Sequence, residues 1–465
     1  MFVGRNSEIN TLLNTYKTKN QHSIVYGNRR VGKTALVTET AKRSGLEFIT
    51  YECLKSSLRN NLDVLSRQLY EEGLFSSPIT FNTFIDLFKY INSLNKHLIV
   101  LIDEYPYLYY KNDKNEVDSL FQTVLEKHSS NINIVLSGSH IGMMKDLLRQ
   151  KNPLFGRVKT VIHLLELNYI EASEFYPNIP NYDKVAFYSI FGGSPFILKQ
   201  LNYNKSLEDN ICDTFLNQTS SVYTHICEGY TTDLATKDSA NQIFEVIGNS
   251  KLRHNRIEEL LHYEHNGLLS KQLNILTDME FVDKNVPINK VGDNKKTTYY
   301  IKNNALKFYF AYVYGKQNIL SMIGAKAFFN RYIKESLLTF VSYRFEEIVR
   351  TYLSLQVKKE KLDGIYNIGT YYYDDIINKK NGEFDVALEL ENGFDIIEVK
   401  YLKDKVKQSV VESEIQKIKN IKEINVLNVG FASINGFEEK ISNLKYMIDG
   451  NDIYSWFYSF RKWVV

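Results

Sequence analysis

Cysteine is scarce in this chain: Cys53, Cys212 and Cys227 are its only three among 465 residues, and no two form a C-x-x-C pair. That spacing excludes a disulfide framework and the common zinc motifs, and it fits a reducing cytoplasm. Long apolar runs are lacking too. No stretch approaches the ~20 residues of a membrane-spanning helix, and Met1 leads straight into Phe2-Val3-Gly4-Arg5 without an apolar signal segment. A soluble protein with no membrane partner is expected. Neither sign of charge is in excess, since the net charge is +3, too mild to announce nucleic-acid binding by the whole chain but compatible with a local basic patch. No internal repeat or long low-complexity segment occurs. The 33 tyrosines, with frequent Asn, Lys and Ile, look like coding bias and carry no mechanism. At 465 residues the chain exceeds one ordinary core, and about three domains are expected.

One stretch dominates what is present. Gly27-Asn28-Arg29-Arg30-Val31-Gly32-Lys33-Thr34 satisfies the phosphate-loop pattern G-x-x-x-x-G-K-[ST] without a mismatch. Ser23-Ile24-Val25-Tyr26 before it reads as a strand and Ala35-Leu36-Val37 after it opens a helix, the order in which such a loop works. Gly27 and Gly32 let backbone N–H groups turn toward phosphates, at a helix N-terminus whose partial charge favours anions. Lys33 is expected to reach the β- and γ-phosphates, and Thr34 to offer its hydroxyl to Mg²⁺. ATP and Mg²⁺ are thus the expected ligands. Downstream, the apolar Leu98-Ile99-Val100-Leu101-Ile102 ends in Asp103-Glu104 and reads as the matching Walker B strand. Its unbroken apolarity indicates burial on both faces of a parallel sheet, with both carboxylates delivered to the carboxyl edge beside the loop. Asp103 is expected to orient Mg²⁺, and Glu104 to polarise the attacking water.

Strand and helix signals alternate over residues 1–200, as a parallel α/β sheet requires. Strands are predicted at Ile24 to Tyr26, Phe48 to Tyr51, Leu98 to Ile102, Asn133 to Ser137 and Val161 to Leu164. Six short motifs keep their order along this unit: Phe2-Val3-Gly4-Arg5 with Glu8, the double arginine of the phosphate loop, Asp103-Glu104, Leu136-Ser137-Gly138-Ser139, Phe155-Gly156-Arg157 and Gly192-Gly193-Ser194-Pro195. Together they resemble the archaeal-type ATPases, a branch of the AAA+ and STAND-like P-loop ATPases. The resemblance implies that Val3, Gly4 and Arg5 close over adenine and ribose, while Gly27 to Ala35 surround the phosphates. It implies a polar sensor at Ser137 and an arginine, Arg157, that reaches a γ-phosphate in its own subunit or in a neighbour within a nucleotide-dependent homo-oligomer. It also implies a small helical lid at the Gly192–Pro195 turn, with 201–239 as lid or connector. Read alone, Ser137 equally fits a strand-terminating turn, and Arg157 a partner for a surface carboxylate.

Residues 240–315 carry helix signals at Asn241 to Gly248, Ile257 to Leu261 and Ser270 to Met279, then two strand signals around a Lys- and Asn-rich turn, Asn285 to Lys296. Three helices and a hairpin make a winged helix. Ser270 to Met279 would enter a DNA major groove, with Lys284, Lys290, Lys295 and Lys296 on the wing; the domain equally reads as a relay between its neighbours. His254, His262 and His265 match no metal motif and are expected to face solvent. Residues 325–465 hold a carboxylate and lysine constellation: Glu346 on an amphipathic helix, Asp385 on one strand, Glu398 and Lys400 on the next. The layout resembles the PD-(D/E)XK nuclease core, in which Asp385 and Glu398 would bind Mg²⁺, Lys400 would steady the attacking hydroxide, and Glu346 would complete the cluster. Glu398 and Lys400, two apart, share a face of their strand; Glu-x-Lys equally suits a solvated strand edge. Trp456 and Trp463 are expected on one helix face against this core, and Lys403 to Lys422 as a solvated helix.

The expected fold class is therefore α/β: a P-loop parallel-sheet domain with a helical lid, a winged helix and a restriction-endonuclease-like α/β domain. The expected function is an ATPase whose ATP state controls Mg²⁺-dependent cleavage of nucleic acid, DNA rather than RNA. The alternative is a nucleotide-dependent switch that binds nucleic acid or a protein without cleavage.

Overall fold

The computed structural model describes residues 2–229, 237–248, 250–263, 267–375, 379–421 and 423–455. His265, Trp456 and Trp463 lie outside the described residues. Two compact units are present: the first is Met1–Leu167 with Ser194–Phe196, and the second is Asn168–Gly193 with the residues from Ile197 onward. Helix and strand signals put the first boundary near residue 200. The compact boundary falls at Leu167, because the helices that follow pack within the second unit, and only the three residues Ser194–Phe196 return.

In the first unit, β1 (Ser23–Tyr26), β2 (Glu47–Glu52), β3 (Leu98–Asp103), β4 (Ile132–Gly138) and β5 (Thr160–His163) form a parallel sheet in the order β2-β3-β4-β1-β5. Every residue of β3 and β4 is buried, as their unbroken apolarity demands. Along β3 the side chains alternate between two core layers: Leu98, Val100 and Ile102 join one, while Ile99 and Leu101 join Leu36 and Val37 of the helix Lys33–Ser44 in the other. Each such side chain contributes roughly 1.5–3 kcal/mol by leaving water. The order of strands places the site. With β4 between β1 and β3, and Val25 paired to Ser137 and Ile102 to Leu136, Ser137 stands between the phosphate loop and Asp103.

The second unit contains the helices Lys237–Ile247, His254–Leu261 and Leu268–Asp278, and a small antiparallel sheet of β6 (Leu252–Arg253), β7 (Val282–Asn285) and β8 (Thr298–Ile301) in the order β6-β8-β7. The two-residue β6 is too short to leave a periodic signal. Further on, the long helix Leu337–Val357 precedes β9 (Asn367–Asp375), β10 (Lys380–Leu390), β11 (Gly393–Lys400), β12 (Val426–Ser433) and β13 (Tyr446–Ile448). These form one mixed sheet, β13-β12-β11-β10-β9, antiparallel over β9 to β11 and parallel over β11 to β13, with the helix Gln408–Lys419 crossing between β11 and β12. Asp395, fully buried on β11, accepts hydrogen bonds from Asn428 Nδ2 (2.7 Å), Lys445 Nζ (2.8 Å) and Tyr446 OH (2.7 Å), tying β11 to β12 and β13.

The hairpin between β7 and β8 leans on this sheet. Asn289 donates to the Tyr372 carbonyl at 2.7 Å and accepts from the Tyr372 N–H at 3.1 Å, so its amide caps edge strand β9 like a further strand. Ile288 packs on the sheet's core, Lys296 Nζ lies 3.9 Å from the Tyr372 ring centre, and Asn285 Nδ2 donates to Glu383 at 3.1 Å. Among the described residues, no helix is long and apolar enough to cross a membrane.

Candidate functional site

The loop after β1 is shaped by backbone contacts that only glycine permits at two points. A Cβ on Gly27 would stand 2.1 Å from the Leu164 carbonyl oxygen, and Gly32 opens the helix Lys33–Ser44 at φ +97°, where a side chain would be strained. Lys33 is buried and donates from Nζ to the carbonyls of Gly27 (3.0 Å) and Asn28 (3.1 Å). Asp103 accepts from the hydroxyl of Thr34 on one carboxylate oxygen and from that of Ser137 on the other. Thr34, Asp103 and Ser137, drawn from three segments, thus form one network. A hydroxyl and a carboxylate in contact are the oxygen donors a hard divalent cation takes, so this set fits Mg²⁺.

Glu104 follows in a left-handed conformation, φ 51° and ψ 43°, which a non-glycine residue adopts only when its surroundings impose it. Ser139 supplies part of that constraint, donating its N–H (3.1 Å) and hydroxyl (2.8 Å) to the Glu104 carboxylate. Ser139 belonged to a recognised motif, but sequence gave it no role. The flanking residues brace the loop. Buried Arg5 donates to the carbonyls of Val31 (3.4 Å) and Leu165, so the Val3-Gly4-Arg5 segment is anchored to the loop's own backbone. Arg29 reaches the Tyr107 hydroxyl at 3.0 Å. Arg30 lies 3.8 Å from the Phe196 ring centre, and Ser194 donates to the Arg30 carbonyl at 3.4 Å; this is how Ser194–Phe196 returns to the first unit. Asn28 and Val31 complete the turn, and Ala35 lies exposed in the first turn of the helix.

Arg157 is elsewhere. Its Nε donates to Glu126 at 2.6 Å and one terminal nitrogen to the Phe155 carbonyl at 2.9 Å, at the exposed surface. It precedes Thr160, which pairs with Ser23 at the start of β1, whereas the phosphate loop follows the end of this four-residue strand, roughly 13 Å further on. The strand direction thus puts Arg157 toward the opposite end of β1 from the phosphate loop.

In the second unit, Glu346 on the helix Leu337–Val357 and Asp385 on β10 are neighbours. Burial, then the charge of Asp385, pushes the Glu346 carboxyl well above the usual range, and burial with the charge of Glu398 raises Asp385. Lys251 and Arg350 oppose both shifts, and Arg350 donates to the Asp385 carbonyl. Arg350 stands four residues after Glu346 and so shares its helix face, a spacing visible in the sequence. Glu398 is engaged differently: Lys400 Nζ donates to it at 2.5 Å and lies 3.7 Å from Glu414. Among the described residues, no group of three His, Cys, Asp or Glu side chains could hold a metal ion. Asp385 and Glu398 stand close enough for the charge of Glu398 to raise the Asp385 carboxyl, and the Lys400 ammonium feels both carboxylates. Below this cluster Arg344, 2% exposed, donates to Glu347 (2.7 Å) and to the Ile301 carbonyl of β8 (3.0 Å). Burial opposes the Glu347 charge, but Arg344 and further cations outweigh it and hold the carboxyl at about 2.

In the three-helix segment, Lys271 is the basic residue on the helix Leu268–Asp278, and Lys296 is turned to Tyr372, not left on an open wing. His254 hydrogen-bonds Ser270 at 2.9 Å.

Residues 2–201 match a family of ATPase domains predominantly from Archaea, and residues 309–418 match a family of archaeal and bacterial proteins of unknown function. An uncharacterized protein of Methanocaldococcus jannaschii, MJECL04, is 29% identical over 376 residues, covering 78% of this chain and 79% of that protein. Among solved structures, the Walker-type ATPase PABY2304 of Pyrococcus abyssi aligns with a TM-score of 0.51 at 16% identity, over 66% of this chain and 96% of that one. The Aeropyrum pernix ORC2 protein, solved in ADPNP–ADP complexes, aligns with a TM-score of 0.47 at 15% identity, over 68% of this chain and 94% of that one. The chain thus carries an archaeal-type P-loop ATPase domain over residues 2–201 and, over residues 309–418, a domain of a family whose function is unknown.

Proposed function

We propose that this chain binds and hydrolyses ATP in its first unit and uses the nucleotide state to control a nuclease-like C-terminal domain acting on nucleic acid, DNA rather than RNA, in the cytoplasm. The observation that carries the ATPase reading is the convergence of Thr34 and Ser137 on Asp103 beside a phosphate loop whose lysine donates to the carbonyls of Gly27 and Asn28. Lys33 would exchange those carbonyls for phosphate oxygens, and Thr34 and Asp103 would hold Mg²⁺. When bound, that ion neutralises charge on the β- and γ-phosphates. Glu104, released from Ser139, would accept the proton of the attacking water, and Ser137 would hold Asp103 in place. Arg157, on the far edge of the sheet, acts in a second copy within a nucleotide-dependent assembly.

The domain limits proposed are 1–200, 201–239, 240–315 and 325–465, with 240–315 as a winged helix. For the last domain, the succession of a long helix, three antiparallel strands, a crossing helix and a parallel strand supports the nuclease-like core, with Glu346, Asp385, Glu398 and Lys400 at its centre. One observation favours the second reading, binding without cleavage: Lys400 already neutralises Glu398. The test is ATP hydrolysis together with cleavage of labelled DNA and RNA in Mg²⁺ or Mn²⁺. Cleavage that Lys400→Ala abolishes, with ATP hydrolysis intact, supports the nuclease. DNA or protein binding that follows nucleotide state, with no cleavage under any metal, supports the switch.

A further inference from the structure

Asp118 is fully buried on the helix Lys114–Lys127, and its hydrogen-bond donors are neutral. The hydroxyls of Tyr105 (2.8 Å) and Tyr109 (2.7 Å) donate to one carboxylate oxygen, and Asn152 Nδ2 donates to the other at 2.7 Å. A carboxylate removed from water without a cation is costly, so its place calls for a reason. Its donors supply one. Tyr105 directly follows Glu104 and is wedged edge-on against Phe121 and Tyr109, with ring centres 5.1 and 5.6 Å apart. Burial, reinforced by Tyr109 and Asp118, drives the Tyr105 hydroxyl far above its usual range, so it remains a donor. On the other side, Asn152 Oδ1 accepts from the Leu154 N–H at 2.8 Å, at the start of the loop that ends in Arg157. About two turns further along the same helix, Glu126 holds Arg157 at 2.6 Å. One helix therefore grips the arginine loop twice, and its inner grip is the carboxylate that also fixes the turn behind Glu104.

We propose that Asp118 is a positioning residue for ATP hydrolysis, locking the turn that carries Glu104 to the loop that carries Arg157 so that the two shift together. This rests on the reading of Glu104 as the residue that polarises water. A carboxylate suits the role because it accepts on both oxygens and its charge strengthens each bond. Asparagine at 118 would offer an N–H₂ group where a donor already points in, loosening one side of the link.

The experiment measures ATP dissociation constants and single-turnover hydrolysis in the full chain for wild type, Asp118→Asn, Asn152→Ala, Glu104→Gln and Asp118→Asn/Glu104→Gln, with melting curves to establish folding. Displacing a catalytic group by about an ångström costs up to roughly 10²-fold, so Asp118→Asn is expected to slow hydrolysis roughly tenfold to a hundredfold while ATP affinity stays within about twofold. Asn152→Ala, which cuts only the link to the arginine loop, gives a smaller loss of the same kind. In the Glu104→Gln background, Asp118→Asn adds little, because the group it positions is already gone. Wild-type hydrolysis in folded Asp118→Asn, or a loss that multiplies in full in the Glu104→Gln background, overturns the proposal. If Asp118→Asn does not fold, Asn152→Ala and Tyr109→Phe decide by the same criteria. Wild-type protein that binds ATP without hydrolysing it overturns instead the reading of Glu104, before any variant is compared.

Discussion

The phosphate-loop site and the C-terminal site are both built from a lysine and carboxylates carried on strands, yet their lysines are held in opposite ways. Lys33 donates to the carbonyls of Gly27 and Asn28, and Asp103 accepts from the hydroxyls of Thr34 and Ser137 and from the Glu104 N–H. Lys400 bonds the very carboxylate, Glu398, that a metal would need. Neutral partners are exchanged readily for a phosphate or a cation, whereas an ion pair must first be broken. The same residue types therefore meet backbone carbonyls in one unit and a carboxylate in the other.

The largest contrast is expected from the lysines themselves. Lys33→Ala removes the charge that meets the phosphates, and turnover is expected to fall by ~10³-fold or more with ATP binding lost. Lys400→Ala is expected to leave ATP turnover within about twofold. Nucleotide titration and phosphate release measure both, and comparable losses in the two variants would mean that the sites are not separable. Glu104→Gln sharpens the comparison within the first site: turnover is expected to drop by ~10²-fold or more with ATP retained, read by single-turnover assay and filter binding. Wild-type turnover in that variant would remove Glu104 from its role.

A smaller difference lies in pH. Burial lowers His22 in the first unit from 6.5 to about 4, so its neutral form is the folded one. The stability this provides is present above about 6.5 and is lost as pH falls toward 4, on the order of 3 kcal/mol in all. Burial and Asp385 raise Glu346 in the second unit, which reverses the sign: stability is full in the acid range below its unfolded value and is lost as pH rises through the raised one. Chemical denaturation from pH 4 to 9 is expected to weaken the first unit at the acid end and the second at the alkaline end, with Glu346→Gln flattening the alkaline slope. An unchanged slope in Glu346→Gln would shift the effect to another group. The smallest effect belongs to the surface: Glu126→Gln breaks an exposed pair with Arg157 and is expected to move the melting midpoint by no more than about 2 °C.

The parallel strands were legible because β3 and β4 are buried on both faces and read as continuous apolar runs, and in the C-terminal sheet β10 and β11 were legible, whereas β9, β12 and β13 were not read as strands. The phosphate loop was legible because its chemistry is carried by the backbone of consecutive residues, so a local pattern describes the whole device. Asp103 and Ser137 could be named individually, but their contact depends on β4 lying between β1 and β3, which no local pattern states. Asp385 and Asp395 look alike in sequence, each an acid within an apolar strand. One faces Glu346, and the other is wired to Lys445 and Tyr446.

By itself, then, the sequence determined the parallel strands of the first unit, β10 and β11 of the second, and the phosphate-binding loop, because hydrophobic patterning and backbone chemistry act over a few neighbouring residues. Only the tertiary structure decided that Arg157 sits at the far edge of its sheet, that the hairpin's Asn289 caps β9, that Asp118 links Tyr105 to Asn152, and that Lys400 answers Glu398. Each of these is a pairing of polar groups across elements, where strand order and direction, not residue type, set which charge meets which partner.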